Sequence, residues 1–75
     1  MNVYINAQGD ILAVFASDRG GYKVYIRAAG DVVFKTMPVA FRSRETREEA
    51  EGDMHAYVRI RCREGTWRFV ENWKG

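Results

Sequence analysis

Residues 59–68 hold four arginines, Arg59, Arg61, Arg63 and Arg68, against one acid, Glu64. A guanidinium is always charged, and its planar fork of N–H donors matches phosphate and carboxylate oxygens. On an extended backbone, residues two apart share a face at about 6–7 Å spacing. Arg59, Arg61 and Arg63 would then form a row that Arg68 widens. Tyr57 on the same segment, and Tyr25 beside Arg27, would add stacking surface. Positive charge plus stacking surface is the chemistry that recognises single-stranded nucleic acid. Five acids precede the row: Glu45, Glu48, Glu49, Glu51 and Asp53. A face of like charges is most simply relieved by carboxylates. The competing expectation is therefore that this acidic surface neutralises the arginines, within the chain or across to a second copy.

Other reactive side chains form no constellation in the sequence. His55 is the only histidine, and Cys62 the only cysteine. One of each cannot supply a four-ligand zinc site, and one cysteine cannot close an internal disulfide. His55 is expected on the surface. Cys62 is expected inward, as a small hydrophobe. Ser17 and Ser43 have no base in sequence reach, and Glu48 and Glu49 read as a solvated helical turn. Asp10 and Asp31 fit turn chemistry. Gly20 and Gly21 read as a loop, with no helix after them to cradle a phosphate. No catalytic residue, metal site or cofactor is expected, and the chain is not read as an enzyme.

The elements that would carry these residues are mostly hairpins. Short apolar and β-branched runs bounded by Gly and Asp predict hairpins over 2–16 and 22–37. Val3–Leu12 aligns with Val24–Val33 at six identical positions of ten, which suggests a tandem pair of similar hairpins. Pro38 belongs at a bend, a sheet edge or a strand end. Thr46 and Glu49 fit a capping box, predicting a short helix near 45–52 that ends at Gly52-Asp53. From Met54 to Arg63, apolar Met54, Ala56, Val58, Ile60 and Cys62 alternate with outward residues. That period of two predicts a strand over 55–63. Glu64-Gly65 would turn it into a return strand over 66–71, giving a third hairpin over 55–71. This register pairs Cys62 with Trp67 and Ile60 with Phe69.

The expectation is a single domain over 1–75, mainly β, with about six antiparallel strands in a small sheet or partly closed barrel and one short helix. The alternative is α+β, with a longer helix over 44–58 packed on the sheet. Neither a leader nor a membrane span is visible, so a cytoplasmic location is expected. Ten large aromatic rings exceed what a 75-residue core can bury, and the first hairpin is apolar on both faces. Something must cover its second face, and a barrel interior, the acidic helix or a second subunit would each serve. Surplus apolar surface points to an interface. The functional expectation is a small protein-binding module, self-associating or bound to a protein partner. Size alone suggests accessory and inhibitor proteins of phages or mobile elements. The alternative is a nucleic-acid-binding barrel using the arginine row.

Overall fold

The computed structural model describes residues 1–37, 41–63 and 65–74. Its elements run β1 (Val3–Asn6), β2 (Ile11–Ala16), β3 (Tyr22–Arg27), β4 (Lys35–Thr36), α1 (Arg47–Arg61) and β5 (Trp67–Val70). The strands form one antiparallel sheet in the order β4-β3-β2-β1-β5. The expected class holds: mainly strand, antiparallel, with one helix. Among the described residues the sheet has five strands rather than six and is open, with β4 and β5 at its edges.

The first hairpin forms as expected, with Ile5 opposite Ile11. Asn6 fixes its turn. The Asn6 side-chain oxygen accepts the Gln8 and Asp10 backbone N–H groups at 3.1 and 2.8 Å, and its amide donates to the Asp10 carboxylate at 3.0 Å. In the second hairpin, only Lys35 and Thr36 of the expected strand 32–37 pair with β3. Val32 and Val33 stand out in solvent, 89% and 57% exposed. Pro38, and Glu64 of the expected turn, lie outside the described residues.

The main departure is residues 55–61, expected as a strand and found as the last half of α1. The capping box is present as read: Thr46 Oγ1 accepts the Glu49 N–H, and the Glu49 carboxylate accepts the Thr46 N–H. The helix runs through Gly52 instead of ending there. A glycine in a helix interior costs roughly 1 kcal/mol, whereas burying one large apolar side chain gains about 1.5–3 kcal/mol. Ala50 and Met54 are fully buried, with Tyr57 and Val58 packed beside them. That stripe outweighs the glycine. Met54 to Cys62 satisfies both a period of two and a helical stripe, and burial against the sheet selects the second.

The third hairpin, 55–71, is therefore absent. β5 pairs with β1 instead, Phe69 opposite Tyr4 and Trp67 opposite Asn6. The expected Cys62–Trp67 and Ile60–Phe69 strand pairs do not occur. The result lies close to the alternative of a longer helix packed on the sheet.

The sheet buries both faces. On one, Leu12, Val14 and Val24 meet Ala50 and Met54 of α1. On the other, Val3, Ile11 and Ala13 are covered by single side chains, notably Phe34, Val70 and Trp73. The Arg27 guanidinium lies over the Phe34 and Trp73 rings, 5.4 and 5.5 Å from their centroids. Phe34 and Trp73 thus supply the cover that the two-faced first hairpin requires.

Candidate functional site

An α-helix turns about 100° per residue, so neighbouring odd positions diverge instead of lining up. Arg59 and Arg61 point to different sides of α1, and Arg63 follows its end. All three are exposed. The row predicted from an extended backbone does not exist. Arg68 sits on β5 opposite Ile5, on the sheet face away from the helix. Tyr25 and Arg27 share that far face: Tyr25 packs edge-on to Phe15, and Arg27 is engaged by Phe34 and Trp73. Tyr57 is on α1 and packs against Phe41 at 5.3 Å. The seven residues read as one binding surface are thus divided between two sides of the molecule.

The acidic residues do cluster, in and before the first half of α1. Glu48 and Glu49 lie in its first turn, and Arg59 and Arg61 in its last. Each charge complements the helix dipole at its own end. The ion pairs that the described residues show for the acidic group are made by a different arginine, not by Arg59, Arg61, Arg63 or Arg68. Arg44 approaches Glu49 at 3.9 Å and Asp53 at 3.6 Å. It is held there by a backbone bridge: the Tyr22 N–H donates to the Arg44 carbonyl, and the Arg44 N–H to the Tyr22 carbonyl, each at 2.7 Å. Gly21 permits the approach. Its φ is +76°, and a Cβ there would lie 2.6 Å from the Arg44 carbonyl oxygen. Arg47 turns onto the sheet, donating to the Val14 carbonyl at 2.9 Å with its guanidinium over the Tyr22 ring. Glu45 and Glu48 remain exposed, and Glu51 is half-buried.

His55 is not the surface residue expected. It is half-buried, with its ring against Tyr4 and Phe69 and its Nδ1 2.7 Å from the Tyr4 hydroxyl. Cys62 caps the end of α1 and is half-buried. Asp10 is a turn residue. Its carboxylate accepts from the Asn6 amide and from the Ala29 N–H at 2.8 Å, and these bonds hold its pKa below the usual 3.8.

A concave surface forms between α1 and the segment 41–44. It is a shallow groove of about 290 Å³ whose walls include Phe41, Tyr57 and Ile60, with Arg42, Arg61 and Asp53 among its polar residues. Ile60, expected to point into the core, is 75% exposed there. The groove escaped sequence reasoning for a specific reason. A strand period assigns Ile60 to the interior with Val58. The helix instead separates the two, packing a half-buried Val58 against the core and leaving Ile60 out.

No helix among the described residues is long and apolar enough to cross a membrane. Comparison with protein-family models, curated proteins and solved structures finds no match to this chain.

Proposed function

We propose that this chain is a non-enzymatic protein-binding module that works in the cytoplasm. Its partner docks on the outer face of α1 and the adjoining segment 41–44. The observation carrying this reading is Ile60, a large aliphatic side chain 75% exposed in a groove with Phe41 and Tyr57. An apolar side chain in a recess gains free energy when a partner covers it, about 25 cal/mol per Å². Arg42 and Arg61 at the same groove supply polar contacts of the kind found around interface cores. The polar groups that chemistry would enlist already have structural partners: His55 with Tyr4, Asp10 with Asn6 and Ala29, Glu49 and Asp53 with Arg44. This supports binding over catalysis. The nucleic-acid alternative loses its arginine row, so protein is the partner class we favour.

The test is photo-crosslinking in the cells that make the protein. Ile60→p-benzoylphenylalanine should yield a covalent adduct to protein, identified by mass spectrometry. The same substitution at Asp18, in the exposed β2–β3 loop, should yield none. No adduct at position 60, or an adduct to nucleic acid, overturns the reading.

A further inference from the structure

We propose that the partner is a second copy of the chain, packed with its α1 antiparallel to the first about a two-fold axis. The proposal rests on the protein-binding reading and names the occupant of that surface. At about 100° per residue, Glu48, Gly52, Ala56, Arg59 and Ile60 turn away from the buried pair Ala50 and Met54. All but Ala56 are exposed. This face is acidic at its start, apolar or small in its middle and basic at its end. Glu45 precedes the helix and Arg63 follows it, extending the same gradient.

Such a face complements itself in one orientation. With two copies antiparallel and centred between Gly52 and Ala56, Gly52 of each meets Ala56 of the other. Glu48 then falls beside the opposing Arg59 and Ile60, and Glu45 beside the opposing Arg63. Parallel packing would set acid against acid and base against base. A two-fold interface uses the same patch on both copies, so every favourable contact occurs twice. Neither Glu48 nor Arg59 enters an ion pair among the described residues.

Gly52 supplies an independent reason. Glycine is the poorest helix former after proline, and no contact among the described residues explains it here. A Cβ at this position would meet nothing within 4 Å. A glycine allows another backbone to approach closely, and helix axes pack 8–10 Å apart, depending on the side chains at the contact. A second helix crossing at Gly52 gives the residue a use that the monomer does not.

The helix has 15 residues and is about 22 Å long. A single pair of such helices buries less than the roughly 800 Å² per partner of a standard stable interface. The dimer is therefore concentration-dependent, and its exposed charge pairs make it weaken with salt.

Sedimentation equilibrium of the full chain over a wide concentration range tests this. The wild type should show a monomer–dimer equilibrium. Glu48→Arg and Arg59→Glu should each weaken it by about tenfold or more, because each reversal acts at two symmetric contacts. An equimolar mixture of the two variants should recover association. In the mixed dimer the arginine introduced in one copy faces the glutamate introduced in the other, and the native Glu48–Arg59 contact is kept at the symmetric position. A thermal melt of each variant checks that it is folded, and an unfolded variant cannot be rescued by mixing. A wild type that is monomeric throughout overturns the proposal, as does a dimer insensitive to either reversal or one not restored by mixing. The two readings fail separately. A monomer that still crosslinks from position 60 to a different protein sinks the second copy and leaves the binding module standing.

Discussion

The turn after β1 and the turn after β3 are spelled almost alike, yet they build different structures. Val3–Leu12 closes a tight hairpin. Val24–Val33, identical at six of ten positions, leaves its last two residues in solvent and delays pairing until Lys35 and Thr36. The difference tracks one residue. Asn6 accepts two backbone N–H groups and locks the first turn. Its counterpart, Arg27, carries only donors, so it cannot do the same. It lies instead over Phe34 and Trp73 on the far face. The strands themselves also exchange faces. Val3 points away from α1 and Val24 toward it. A run that is apolar on both sides, Val-Tyr-Ile, can serve either orientation, so turn chemistry and neighbours decide which. Similar sequence is here no guide to equivalent position.

The strongest challenge to that contrast is to truncate the equivalent position in both copies. Leu12 is fully buried and its counterpart Val33 is 57% exposed. Leu12→Ala should cost about 2–5 kcal/mol, and Val33→Ala less than about 0.5 kcal/mol, read from urea midpoints. Comparable losses would mean that the second copy is packed after all. Next in size are the two turn residues. Asn6→Ala removes the side-chain hydrogen bonds that lock the turn and should cost about 1–3 kcal/mol. Arg27→Ala removes its contacts over two rings and should cost about 1 kcal/mol. If Arg27→Ala proves the more damaging, the far-face clamp matters more than the turn. The smallest effect concerns acid. Folding favours the ionised Asp10 carboxyl, whose pKa lies below 3.8 through the Asn6 and Ala29 bonds. Its contribution is full above the unfolded value and disappears as pH falls through the lower folded one. Asp10→Asn should therefore flatten the acid limb of the stability curve below about pH 4, and an unchanged limb would remove Asp10 from the account.

The first hairpin, β3 and the capping box were legible because local chemistry specifies them: the first Gly-Asp turn, β-branched runs, and Thr46 with Glu49. The far-face cover is legible as a need, since β2 is apolar on both sides, but not as the work of Phe34 and Trp73. What stayed hidden was the second half of α1. Met54 to Cys62 obeys both periods, and the choice depends on whether Met54 and Val58 find Leu12, Val14 and Val24 across the fold. That information is tertiary. The misplaced arginine row followed directly, and so did the missed exposure of Ile60. Helical spacing alone would pair Arg44 with Glu48, four residues on. It pairs instead with Glu49 and Asp53, because the Tyr22 backbone bridge fixes where it stands.

The placement of β1 between β2 and β5 governs how the protein must be made. One side of β1 pairs with its nearest neighbour in sequence, the other with a strand most of the chain away. During synthesis, β1, β2 and β3 emerge early and find each other by short loops, while the outer edge of β1 waits for Trp67–Val70. Closing that distance is an entropic and kinetic bottleneck. Until it closes, a nascent chain presents an unsatisfied strand edge, open to pairing with another nascent chain. Ribosome stalling or truncation before residue 67 should thus produce aggregates rather than a slightly weakened monomer.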